Sequence, residues 1–163
     1  MSRNRVLFSL CLAGALLGAC ASVSRSSSDT ARSEAEPVQP CASSPDAGTA
    51  DVVVDITADS DGKVHFSSKT VKVEPGQTVV FVSQVQQDRC IGVSDASLFK
   101  EGAVNPLPVP ACQSASWTLR NKDAQGQHSL WSCATSDCSK CTQPQGITET
   151  INGTLEVTGR GED

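Results

Sequence analysis

Apolar and polar residues alternate with a period of two through much of the chain beyond residue 50. Val71 and Val73 alternate with Lys72 and Glu74, Trp117 and Leu119 with Ser116, Thr118 and Arg120, and Leu155 and Val157 with Thr154, Glu156 and Thr158. That period sends successive side chains to opposite faces of a sheet and predicts half-buried strands. Val52-Val53-Val54-Asp55-Ile56 is a short β-branched run, and Thr78-Val79-Val80-Phe81-Val82 reads as a strand buried on both faces. Asp61-Gly62, Pro75-Gly76 and Asn152-Gly153 are turn pairs beside these runs. Helical period extends over about one turn only, near Asp95 to Lys100. Short strands joined by polar turns predict an all-β, antiparallel sandwich.

The first 50 residues follow no such pattern. Residues 21–50 contain no Ile, Leu, Met or aromatic residue and are rich in Ser, Ala, Asp, Glu and Pro. Such a stretch buries too little apolar surface to offset its ordering entropy, which predicts a flexible tether with a reach of roughly 30 Å. Ahead of it, Arg3 and Arg5 precede an uncharged apolar run over residues 6–19. The run is shorter than the ~20 residues of a bilayer-spanning helix and fits the apolar part of a secretory signal peptide. It ends in Leu17-Gly18-Ala19-Cys20, which resembles the lipobox of bacterial lipoproteins. The resemblance implies cleavage before Cys20 and acylation of its sulfur. Ala21 follows, with no Asp to suggest inner-membrane retention, so the expected place is the cell envelope, lipid-anchored at the outer membrane. The chain thus divides into a signal peptide (1–19), a lipidated tether (20–50), one domain (51–159) and a short tail (160–163). About 109 residues suffice for a single two-layer core.

Charge narrows the partners. The chain carries a formal charge of −5, and residues 1–19 hold two arginines and no acid, so the remainder stands at −7. Nucleic-acid binding needs a basic footprint, and this acidic chain offers none. Its membrane contact is expected through the lipid alone.

The eight cysteines carry the candidate chemistry. Cys11 leaves with the signal peptide and Cys20 is acylated. Cys41, Cys90, Cys112, Cys133, Cys138 and Cys141 remain, an even number in an oxidising compartment, where three disulfides are the simplest outcome among 15 connectivities. With only 4% aromatic residues in the whole chain, the domain has reason to need such staples.

The order of motifs resembles the cupredoxins, the small Greek-key copper sandwiches of the plastocyanin kind. The segment from Phe66 to Phe81 resembles the family's F-x-P-x-x-x-V-x-x-G-x-x-V-x-F/W run, one residue longer, with Val73, Gly76, Val79 and Phe81 at the spacing of its second part and Ser68 in place of the proline. Trp131-Ser132-Cys133 resembles the aromatic-x-Cys strand that leads into the ligand loop, and Gly153-Thr154-Leu155-Glu156-Val157 resembles the closing strand. By that resemblance Cys133 keeps the family's cysteine, whereas Cys90 stands for the first histidine, Cys138 for the second and Cys141 for the methionine. A blue-copper site needs two imidazoles beside the thiolate. His128 lies five residues before Cys133 on the same expected strand, roughly 16 Å away and on the opposite face. His65 stands near the start of another strand; both are expected to be ordinary histidines. The resemblance gathers the five later cysteines at one pole and implies a Cys90–Cys133 or Cys90–Cys138 bridge where a metal would sit.

The expected function is a disulfide-stapled binding or structural module without cofactor or catalysis. Its expected protein-contact surface is the cysteine-rich pole with Val104-Asn105-Pro106-Leu107-Pro108-Val109-Pro110. An alternative keeps Cys90, Cys133, Cys138 and Cys141 as thiolates around Zn or Cu, for metal handling or electron transfer. A third reading uses Cys138-Ser139-Lys140-Cys141 as a thiol-exchange pair, with Lys140 lowering a thiol pKa; no βαβ unit supports it. Asn152-Gly153-Thr154 reads as a turn, and Asp59, Asp61 and Glu74 as solvated charges.

Overall fold

A computed structural model describes residues 37–121, 125–142 and 150–159. The expectations placed on residues 1–36 and 160–163, the signal peptide and lipidated Cys20 among them, lie outside these. Among the described residues nine strands form two packed sheets: β1 (Val52–Ala58), β2 (Val64–Phe66), β3 (Thr70–Val73), β4 (Thr78–Ser83), β5 (Arg89–Val93), β6 (Leu107–Val109), β7 (Ser114–Thr118), β8 (Gly126–Ala134) and β9 (Ile151–Val157). The first sheet has the order β2-β1-β4-β7 and the second β3-β9-β8-β5-β6. The all-β sandwich is as the alternation predicts. The one-turn helical signal becomes a 3-10 turn at Ala96–Leu98, capped by the Asp95 side chain.

The sheets are mixed, not wholly antiparallel. β1 runs parallel to β4, with Val54 opposite Phe81, and β3 runs parallel to β9, with Val71 opposite Leu155. Both pairs join strands distant in the chain, so no hairpin turn sets their direction. Between the sheets lies a core of alternating residues: Val54 and Ile56 from β1, Phe81 from β4, Ile91 and Val93 from β5, Leu130 from β8, and Leu155 and Val157 from β9. The few aromatics are concentrated there. Phe99 stacks on Trp117 at 4.3 Å and Phe81 meets it edge-on at 5.5 Å, geometries that add to the burial of each ring. Trp117 Nε1 donates to the Val104 carbonyl at 2.8 Å, so the buried indole also anchors the loop before β6.

The stretch expected as tether up to residue 50 is fastened in its described part. Pro40 bridges Val85, Cys41 N–H donates to Gln84 O, Ser114 Oγ donates to Asp46 O, and Cys41 is bonded to Cys112. The reason is covalent and polar: a disulfide and backbone hydrogen bonds hold a segment whose composition offers little apolar surface. Among the described residues no helix is long and apolar enough to cross a membrane.

Candidate functional site: a pole of three disulfides

The end of β4, β6 and β8 and the start of β5, β7 and β9 meet at one pole. Six cysteines, the domain's five and Cys41, are found there, joined as Cys41–Cys112, Cys90–Cys138 and Cys133–Cys141, with Cα separations of 5.7, 5.4 and 5.6 Å. Of the two bridges the cupredoxin resemblance implied, Cys90–Cys138 is present. Cys133 turns instead to Cys141.

Strand parity decides where these sulfurs go. Cys90 is the ladder partner of Cys133, and Gly92 of Trp131. Ile91 and Val93, between them, point into the main core with Leu130. Cys90, Trp131, Cys133 and Cys141 form a second, separate cluster, which parity places on the other side of the same sheet. The cluster has its own packing. The Trp131 indole approaches Gly92 so closely that a Cβ atom there would collide with it. Cys90, Cys133 and Cys141 are at most 6% exposed, and Cys138 alone is half-buried.

The loop after β8 makes the two bridges possible. A 3-10 turn at Cys138–Lys140 returns the chain to the strand it has just left. Asp137 caps it, accepting from Ser139 N–H at 3.2 Å and from Ser139 Oγ at 2.6 Å. Those hydrogen bonds, with Lys140 Nζ at 3.1 Å, hold the Asp137 carboxyl below the ordinary carboxylate range. Cys141 N–H donates back to Cys138 O at 3.1 Å, and Cys141 Sγ comes to 3.4 Å from the Cys90 carbonyl oxygen.

The four sulfurs of the alternative metal shell are therefore brought together, but as two disulfides. The metal-ligating form of cysteine is the thiolate, and a disulfide sulfur is not one. Among the described residues no group of three or more His, Cys, Asp or Glu is disposed to hold a metal. The C-x-x-C pair of the thiol-exchange reading is likewise divided, each cysteine bonded to a different strand. His65 is exposed on β2 and contacts Thr57 Oγ1 at 3.1 Å. His128 pairs in register with the core residue Leu155, on the face opposite Cys133. Neither reaches the sulfur cluster.

Sequence reasoning missed Arg89. It lies at the start of β5 with interior parity and is 1% exposed. Its Nε donates to Ser132 Oγ at 3.1 Å and its Nη1 to Gln87 Oε1 at 2.7 Å. A cleft of about 250 Å³ opens beside it, walled by Val38, Lys63, Val64 and Thr150. The available signal was Ser132, a polar residue at an interior position of a strand whose neighbours are apolar. The expected contact loop is also divided. Leu107 and Val109 are buried strand residues, Pro110 reaches the pole, and Val104, 55% exposed, lies before the strand, toward the other end.

No family model matches the chain, and no curated protein matches it. Solved structures it resembles are cupredoxins. The reduced Cu(I) form at pH 4 of a proline-to-glycine mutant of amicyanin is 18% identical, covering 76% of this chain and 100% of that one, with a TM-score of 0.45. A purple cupredoxin from Nitrosopumilus maritimus is 14% identical, over 66% of this chain and 100% of that one, at 0.43. An oxidized methionine-to-lysine mutant of amicyanin is 19% identical, over 74% and 96%, at 0.43. At such identities the likeness concerns the arrangement of strands; the chemistry of the pole is argued from this chain's own residues.

Proposed function

We propose that this chain is a cell-envelope lipoprotein, acylated at Cys20, that carries a cupredoxin-like sandwich as a disulfide-stapled binding or structural module. The observation that supports it is the engagement of Cys41, Cys90, Cys112, Cys133, Cys138 and Cys141 in disulfides, among them Cys133, which stands where a copper centre would keep a free thiolate. Disulfides persist outside the cytoplasm, which accords with the signal-peptide pattern of residues 1–20. In this reading the stapled pole is the face that meets a protein partner, and the module performs no catalysis of its own.

Two measurements test it. Cys20→Ser is expected to release the protein from the membrane fraction, and retention of that variant counts against lipid anchoring. The oxidised protein, mixed with Cu(II), is expected to show no intense band near about 600 nm. One copper per chain with that band would overturn the reading.

A further inference from the structure

The sulfur cluster on the outer face of the second sheet goes beyond stapling. We propose that reduction of Cys90–Cys138 and Cys133–Cys141 by an external dithiol converts the cluster into a four-thiolate site for a soft, closed-shell cation that prefers tetrahedral coordination.

The geometry carries this. Cys90 and Cys133 are direct ladder partners on β5 and β8. Cys138 and Cys141 stand at the two ends of one 3-10 turn, tied by the Cys141 N–H to Cys138 O hydrogen bond. Cα separations across the two bridges are 5.4 and 5.6 Å. The four cysteines thus form a closed quadrilateral with each member next to two others. A tetrahedral shell with metal–sulfur bonds of about 2.3 Å has sulfur–sulfur edges of about 3.8 Å. In the proposed site, side-chain rotation spreads each formerly bonded pair to that distance. Two cysteines come from paired strands and two from a C-x2-C turn, the ligand spacing such cations take. The third bridge, Cys41–Cys112, lies apart from this cluster and plays no part.

Entry is directional. Cys138 is the one half-buried sulfur of the four, on an exposed turn. A thiolate of the dithiol attacks Cys138 Sγ, and Cys90 leaves as thiolate and takes up a proton. The second thiol of the reagent then closes on the first and releases Cys138. Cys133–Cys141 follows with a second equivalent of dithiol. In all, four electrons and four protons pass to the protein, and two dithiols become two disulfides. Metal binding then expels the four thiol protons.

The experiment uses the full chain as purified from the envelope. Cysteines alkylated before any reduction report separately on whether the disulfides of the proposed module exist. The chain is then reduced with dithiothreitol, freed of reagent without air, checked for β-sheet circular dichroism, and titrated with Zn(II). The expected result is one Zn(II) per chain, with Cys90, Cys133, Cys138 and Cys141 protected from iodoacetamide and Cys41 and Cys112 modified. Trp131, which packs on the cystines, is expected to fluoresce more strongly after reduction. Cys90→Ser/Cys138→Ser in the reduced state is expected to bind Zn(II) at least about 100-fold more weakly, and Cys41→Ser/Cys112→Ser as tightly as the parent. Binding below one equivalent, protection at other cysteines, or unchanged binding by Cys90→Ser/Cys138→Ser overturns the proposal. Should the sandwich be lost on reduction, Zn(II) is supplied during reduction instead, and failure to restore one protected equivalent overturns it equally.

Discussion

The two faces of the second sheet are built on different chemistry by the same strands. On the inner face, Ile91, Val93, Leu130, Leu155 and Val157 belong to a core held by apolar burial. On the outer face, one residue over on β5 and β8, Cys90, Trp131 and Cys133 meet Cys141 in a small patch closed by two disulfides. The first is indifferent to redox conditions; the second exists as drawn only while oxidised. A period of two therefore separates a redox-independent core from a redox-dependent pole, in adjacent residues of one strand.

Substitutions can break that contrast, and the core gives the largest effect. Trp117→Ala removes a fully buried indole that Phe81 and Phe99 pack against and leaves the Val104 carbonyl without its donor. A loss of ~3–5 kcal/mol is expected in urea unfolding, alike with and without reductant. Next comes the longest loop. Cys41→Ala/Cys112→Ala opens a bridge across 71 residues, and a loss of ~2–4 kcal/mol is expected. Limited proteolysis should then cut within residues 38–50, which this bridge fastens. Cys133→Ala/Cys141→Ala opens only an eight-residue separation, for which chain entropy gives ~2.5 kcal/mol. Both cystine effects should vanish when parent and variant are compared under reductant, unlike that of Trp117.

Gly92→Ala sharpens the contrast from within the outer patch. The new methyl group collides with the Trp131 ring, and a cost of ~1–3 kcal/mol is expected, with altered Trp131 emission. The smallest effect belongs to Asp137. Its folded carboxyl pKa lies below the ordinary 3.8, so its contribution is full above that value and fades as pH falls through the folded one. Asp137→Asn is expected to leave global stability within experimental error while speeding dithiothreitol cleavage of Cys90–Cys138 at neutral pH, where the Asp137 carboxylate is fully charged.

Much of this was legible in the chain. β-Branched runs and clean alternation at Val71–Glu74, Ser116–Arg120 and Thr154–Thr158 report local geometry, and strands stand at each. The opposite faces of His128 and Cys133 follow from counting five residues along one strand. What was not legible is what depends on partners distant in sequence. The parallel pairing of β1 with β4 and of β3 with β9 leaves no local trace. The fastening of residues 37–50 was hidden because their composition is that of a disordered segment, and one cysteine, Cys41, overrides it. Arg89 was masked by Gln87 and Asp88, which give it the look of a polar loop, although its guanidinium is buried against Ser132. The choice of Cys138 over Cys133 as partner of Cys90 turns on the 3-10 turn after β8, whose Asp137 cap is a three-residue signal.

Peptide mapping of the native protein without reduction, after blocking free thiols, tests the central claim most directly. Three cross-linked peptides are predicted, joining Cys41 to Cys112, Cys90 to Cys138 and Cys133 to Cys141, with no blocked thiol among the six. Free Cys90 or Cys133, or a Cys90–Cys133 bridge beside Cys138–Cys141, would contradict it.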